Sequence, residues 1–266
     1  MKKIKFYVKR AFSTFNQMEM RILPGNIAFF FAMAMIPMIT ILISFSSYFH
    51  ISMDTIIAFI QDVVPGEASR SIIEVISGKG FDSSVGLFNI IALVSASNGT
   101  YAIINASNTL YQVDKRDVLK DRIKSVVLLF ILLWLILFLI LVPMLGDKIL
   151  GLFGNIVIVE NLKFIYRLLK WPVTIFLVYM NLKLVYTIAP SKNIRSYSTT
   201  YGAIFTTVIW TIATAVFSYY LKYFANYNVI YGNLSSIIIL MMWLYIISYV
   251  FVIGIAINAV NLKDDK

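Results

Sequence analysis

Six long apolar stretches separated by shorter polar ones set the pattern of this chain. They cover about 27–48, 85–111, 123–145, 164–188, 201–223 and 233–260. Each reaches the roughly 20 apolar residues that a helix needs to cross a hydrocarbon core about 30 Å thick. The expected fold class is therefore all-α, a polytopic integral membrane bundle of six transmembrane helices with amphipathic interfacial helices beside them. The first apolar run begins near Ile27 and exceeds the about 7 to 15 residues of a signal-peptide core, so it reads as an uncleaved anchor.

The polar flanks add detail. Ile4, Tyr7, Val8, Ala11, Phe12 and Phe15 recur at helical spacing between Lys2, Lys3, Lys5, Lys9 and Arg10. Residues 1–25 thus read as a basic amphipathic cytoplasmic segment, either lying on an anionic membrane surface or serving only as a topology signal. Residues 26–260 make the membrane domain and 261–266 a cytoplasmic tail. Between the first two spans, Ile56, Ile60 and Val63 stand among Asp54, Asp62, Glu67 and Glu74, broken at Pro65 and Gly66. That pattern predicts one or two amphipathic helices at the outer interface. Pro37, near the centre of the first span, and Pro143, near the end of the third, each remove an amide and predict helix bends.

Composition agrees with the pattern: of 266 residues, 60% are hydrophobic and 14% charged, far too apolar for an ordinary soluble domain. The absence of cysteine excludes disulfides, thiolate metal sites and cysteine nucleophiles. The net charge of +10 raises the question of nucleic acid. Its Lys and Arg residues flank the apolar runs instead of forming a patch with stacking aromatics, which argues against that partner. With both termini cytoplasmic, the inside carries roughly a two-to-one excess of these residues, the bias expected of retained loops. Lys163, Arg167 and Lys170, which this layout puts outside, run against it. Tyr219, Tyr220, Tyr223, Tyr227 and Tyr231 gather where the fifth and sixth spans would meet the outer headgroups.

Polar residues inside the spans carry the candidate chemistry. Ser95, Asn98 and Asn105 fall on one helical stripe of the second span, with Asn108 at its end, and Thr207, Thr211 and Thr214 mark the fifth. Such groups either bond neighbouring helices or line a wet cavity. Lys183 either snorkels to the nearby interface or turns inward beside Asn181 as a cation for an anionic headgroup. Asp114, Asp117 and Asp121 share a helical face, but the interleaved Lys115, Arg116, Lys120, Arg122 and Lys124 favour a solvated, self-paired helix over a cation site. All acidic residues lie outside the apolar cores, and His50 is the one histidine. No metal site, cofactor or enzyme activity is expected from these residues.

By the last span the chain resembles the YihY/BrkB family, bacterial membrane proteins once labelled ribonuclease BN. The resemblance rests on Ala34, Met35, Ile36 and Pro37, then Asn108, Tyr111 and Arg122, then Tyr186, Pro190, Gly202 and Trp210. Its most specific stretch is Tyr231, Gly232, Asn233, Leu234, Ser235 and Ser236, followed by Trp243, Leu244 and Tyr245, then Gly254, Asn258 and Ala259. Many relatives carry a glutamate where this chain has Ala256. The resemblance implies a bacterial plasma-membrane location and a poorly defined role, with suggestions of lipid or amphipath transport. Three functions follow in order of fit: transport of a lipid-like molecule through a groove between the second and fifth spans, a scaffold with an envelope protein as partner, and a ribonuclease. Membrane lipids are the expected small partners, and oligomeric state is not legible.

Overall fold

The computed structural model describes residues 18–48, 52–77, 86–113, 117–152, 158–224 and 227–264. Its elements are α1 (Met18–Tyr48), α2 (Met53–Val63), α3 (Gly66–Ser77), α4 (Gly86–Leu110), α5 (Val118–Leu152), α6 (Ile158–Ile188), α7 (Thr200–Tyr223), α8 (Tyr227–Tyr231) and α9 (Ser235–Asp264), with 3-10 turns at Ser196–Thr199 and Gly232–Leu234. Every described element is helical. The six expected spans fall on α1, α4, α5, α6, α7 and α9, and α1 and α5 run unbroken through Pro37 and Pro143. Residues 1–17 of the basic segment, His50 and Asp114 lie outside the described residues. Among those described, Ser196–Tyr223 and Ser235–Val260 are long and apolar enough to cross a membrane by length and composition, and Pro172–Ile188 is a shorter apolar stretch.

Local sequence explains where the elements start and stop. Ser52 caps α2 by accepting the Thr55 N–H at 3.3 Å. Pro65 and Gly66, the latter with φ +33°, turn the chain into α3. Asp117 caps α5: its carboxylate accepts the Lys120 N–H at 3.2 Å and sits 3.2 Å from the Lys120 ammonium. That N–H first, and the ammonium after it, hold the Asp117 carboxyl below the usual carboxylate range. At the end of α4, Val113 N–H reaches Asn108 O at 2.9 Å and Gln112 N–H reaches Thr109 O at 3.1 Å. This is a Schellman closure, with Gln112 at φ 52° where glycine usually stands. Gly232, at φ 53°, supplies the turn from α8 into α9.

α9 is apolar around its whole circumference and packs against α1, α3 and α7, with α4 touching it more lightly; that is how a helix with no polar face finds burial. α4 lies between α1 and α5, and α6 between α5 and α7. Two apolar clusters result. At the near end, where α4 stops and α5 and α7 begin, Met20, Ile27, Ile104, Leu128, Val185, Tyr186 and Ile255 pack together. At the far end, Ile56, Ile60, Val64, Ala68 and Ile72 of the α2–α3 hairpin pack with Ile41, Leu133, Phe217, Leu240 and Trp243. Asp54, Asp62, Arg70 and Glu74 face outward from that hairpin, as its amphipathic pattern requires.

The outside of the bundle is as apolar as its inside. Along α7, Tyr201, Ile204, Val208, Ile212, Val216, Tyr219 and Tyr223 are all exposed at helical spacing. On α5 the exposed row is Leu119, Ile123, Val127, Phe130 and Trp134. Continuous apolar stripes of this length on several helices fit a hydrocarbon solvent and do not fit water.

Candidate functional site

The first two turns of α5 hold the densest polar cluster. Helical periodicity turns Val118, Leu119 and Ile123 outward and rotates Asp121, Lys124 and Ser125 into the bundle. Asp121 is 4% exposed. One of its carboxylate oxygens accepts the Asn108 amide at 3.0 Å and the other accepts the Ser191 hydroxyl. Asn108 closes the ring, its Nδ2 donating to Ser191 Oγ at 3.0 Å and its Oδ1 accepting the Ser191 N–H at 2.7 Å. Lys124 Nζ donates to Pro190 O at 2.6 Å, satisfying a carbonyl just past the end of α6. Thr100 donates to Ser125 O at 2.7 Å. These bonds fasten α4, α5 and the α6–α7 linker to one another.

Next to Asp121 in the chain, Arg122 points in a different direction. Its Nη1 donates to Asn98 Oδ1 at 2.8 Å and its Nη2 to Val94 O at 3.4 Å. Its guanidinium lies 5.4 Å from the centre of the Tyr101 ring.

A third cluster joins α6, α7 and α9. Tyr186 OH donates to Phe251 O at 2.9 Å and shares a 2.7 Å bond with Thr206 Oγ1. Asn258 Oδ1 accepts the Gly202 N–H at 2.8 Å, and Trp210 Nε1 donates to Ile247 O at 2.7 Å. The helices can come this close because Gly202 and Gly254 face each other. A Cβ on Gly202 would run into Gly254 O and Asn258, and one on Gly254 into Thr206 Oγ1 and the Tyr186 hydroxyl.

Six buried side-chain atoms have no protein partner among the described residues: Ser71 Oγ, Ser107 Oγ, the Tyr111 hydroxyl, Asn181 Oδ1, Trp243 Nε1 and Asn258 Nδ2. They lie on α3, α4, α6 and α9, apart from Tyr111, which stands just past the end of α4.

The sequence-derived candidates separate accordingly. Asn98 and Asn108 enter polar clusters, whereas Ser95 and Asn105 are half-buried and Asn105 O accepts the Thr109 hydroxyl at 2.9 Å. Thr207 and Thr211 donate to carbonyls four residues back, Ala203 O at 2.8 Å and Thr207 O at 2.9 Å, and Thr214 is half-buried. Among the described residues the packing gives little support to the expected groove between the second and fifth spans: α4 packs chiefly on α1 and α5, and α7 chiefly on α9 and α6. Lys183 is half-buried with its ammonium 6.0 Å from the Tyr179 ring centre, and it is Arg122, not Lys183, whose head is drawn into the bundle. Of the self-paired helix expected around Asp114, Asp117 and Asp121, the described residues show the pair Asp117 with Lys120. Asp121 is buried, against the expectation that every carboxylate stays outside the apolar core. Of the family-pattern residues, Trp243, Gly254 and Asn258 are buried, Tyr231 is exposed and stacks on Tyr227 at 6.2 Å, and Gly232 makes its turn.

Sequence reading missed Asp121, Ser191, Lys124 and Thr100 as partners. A signal for Asp121 was present, since a carboxylate in the first turn of a long apolar helix sits at the positive end of the helix dipole. For Ser191 there was none, because its role depends on how the linker folds back.

The family described as Virulence factor BrkB matches residues 11–265. A ribonuclease-like protein of Bacillus subtilis, YfkH, is 30% identical over 266 residues, covering 98% of this chain and 96% of the relative. A UPF0761 membrane protein of Aliivibrio salmonicida is 28% identical over 279 aligned residues, covering 99% of this chain and 88% of its own. A UPF0761 membrane protein of Coxiella burnetii is 33% identical over 84 residues, 32% of this chain and 30% of its own. No solved structure matches.

Proposed function

We propose, for a chain that belongs to the BrkB virulence-factor family and is a membrane protein of that family, that it moves a lipid-like or amphipathic molecule between the two sides of a bacterial plasma membrane. In this reading α1, α4, α5, α6, α7 and α9 all span the bilayer and both termini are cytoplasmic, which makes the near end the cytoplasmic one.

The observation that supports it is the pairing of apolar outer stripes with unpartnered polar atoms inside. Large apolar side chains form the outer stripes, while among the described residues six polar atoms inside have no protein partner. An unpaired buried polar group costs about 1–3 kcal/mol. A bundle serving only as an anchor gains nothing from several of them, whereas a path for a molecule with a polar head and an apolar tail uses both surfaces.

The test is lipid scrambling. Purified protein in liposomes carrying a fluorescent short-chain phospholipid should speed its exchange between leaflets, read by chemical quenching of the outer leaflet. Asn181→Leu with Ser107→Ala removes two unpartnered groups and should slow exchange about tenfold. Liposomes no faster than protein-free ones, or a double variant as fast as the parent, would sink the reading.

A further inference from the structure

The Arg122 side chain runs the wrong way for a membrane arginine. It belongs to the second turn of α5, close to the near end, and the Cα–Cβ bond of a helical residue tilts toward the helix N-terminus. The easy course is outward to the interface, where snorkelling arginines put their charge. Instead the guanidinium reaches inward to Asn98 Oδ1 at 2.8 Å. Asn98 is the middle residue of the 25-residue α4, Gly86–Leu110, about 18 Å from either end at 1.5 Å per residue.

Everything that holds this charge is neutral. Asn98 Oδ1, Val94 O and the Tyr101 ring are its described partners, and among the described residues it forms no ion pair. Asp121, its neighbour in sequence, faces the other way and is taken up by Asn108 and Ser191. Two hydrogen bonds leave further N–H donors on the fork, and the side chain remains half exposed to the surroundings of the bundle. Flanking it on the surface are Val94, 49% exposed, and Val127, 51% exposed. A guanidinium at membrane depth with neutral partners, spare donors and an apolar lateral rim is matched by an anion that carries its own apolar body.

We propose that Arg122, oriented by Asn98 and Tyr101, binds the phosphate of an anionic amphipath that enters sideways from the bilayer between α4 and α5. This deepens the transport reading and rests on it for membrane orientation, but it concerns binding and is tested without movement. Guanidinium and phosphate pair through parallel charge-assisted hydrogen bonds; the acyl chains lie along Val94, Ile123 and Val127. A lipid headgroup and free phosphate share this chemistry, and the exposed apolar rim of Val94, Ile123 and Val127 favours the lipid.

The experiment uses the full chain in mild detergent, with binding followed by native mass spectrometry. The probes are dihexanoyl phosphatidylglycerol, the uncharged dihexanoyl glycerol and inorganic phosphate. The parent should bind phosphatidylglycerol about tenfold or more tightly than the diacylglycerol. Arg122→Gln should abolish that preference, Arg122→Lys should keep part of it, and Arg70→Gln, which removes a charge of equal sign at an exposed site, should keep all of it. A monodisperse Arg122→Gln protein with an unchanged preference overturns the proposal. If that variant does not fold, Asn98→Leu retains the charge but removes its acceptor, and an unchanged preference there overturns it equally. Inorganic phosphate at lipid-like affinity overturns the lipid assignment. A headgroup preference in protein that leaves liposome scrambling untouched removes the transport reading alone.

Discussion

Gly254→Ala is the most informative single perturbation of the packing. The added methyl would collide with the Tyr186 hydroxyl and Thr206 Oγ1, which are bonded to each other at 2.7 Å while Tyr186 also donates to Phe251 O at 2.9 Å. Tyr186 is 1% exposed and in ring contact with Phe251, centroids 4.8 Å apart, so it has no free space to retreat into. Overpacking of this kind costs about 1–3 kcal/mol, and separating a buried bonded pair leaves an orphan group worth about another 1–3 kcal/mol. Together these predict a loss of about 2–6 kcal/mol, reduced by the roughly 0.5–1 kcal/mol that alanine gains over glycine inside a helix. Gly25→Ala is the control, because its new methyl would meet only Tyr245 at 3.9 Å; it should be neutral or slightly stabilising. Gly99→Ala falls between, with Ala34 Cβ at 3.2 Å. Denaturant unfolding in micelles, followed by near-ultraviolet circular dichroism, should rank the three variants in that order. A Gly254→Ala midpoint equal to that of Gly25→Ala would refute the close crossing of α7 and α9.

Other outcomes follow from the same contacts. Ser191→Ala removes the hydroxyl's bonds to Asp121 and Asn108 and should loosen the α6–α7 linker, so that trypsin cleaves after exposed Lys192 and Arg195 several times faster, as read on a gel; under the proposed orientation, this cut in sealed vesicles should appear only when the cytoplasmic face is outward. The lowered Asp117 carboxyl contributes stability above the ordinary carboxylate range, and that contribution disappears as pH falls through the lowered folded value. Asp117→Asn should therefore lower stability slightly at neutral pH, leave it unchanged in acid, and so flatten the acid limb of the unfolding profile. Trp134 is 59% exposed and Trp243 is 8% exposed, so with Trp171 and Trp210 replaced by Phe, brominated lipid should quench fluorescence strongly in a protein that keeps only Trp134 and weakly in one that keeps only Trp243.

How much was legible in advance depended on the kind of signal. Helix positions were readable because long apolar runs repeat the same information over many residues, and each of the six expected stretches lies on a helix whose ends differ from it by no more than nine residues. The amphipathic pair between the first two followed from the spacing of Ile56 and Ile60 against Asp54 and Asp62. Which polar stripe meets which was not readable, since Asn98 and Thr207 look alike in sequence and only packing decides that one receives an arginine and the other bonds its own backbone. Asp121 and Arg122 are adjacent in sequence and point into different clusters, because neighbouring residues on a helix are about 100° apart. Charge alternation around them suggested mutual neutralisation when the helix in fact divides them.

The α2–α3 hairpin works as a cork. Ile56, Ile60, Val64, Ala68 and Ile72 are wedged among the long helices of the far end, and pulling them into water at roughly 1.5–3 kcal/mol for each larger side chain would require on the order of 10 kcal/mol. Thermal motion does not unseat such a plug in one piece. An axial route at that end would have to displace this plug, so under the proposed reading a molecule enters through the flanks of the bundle.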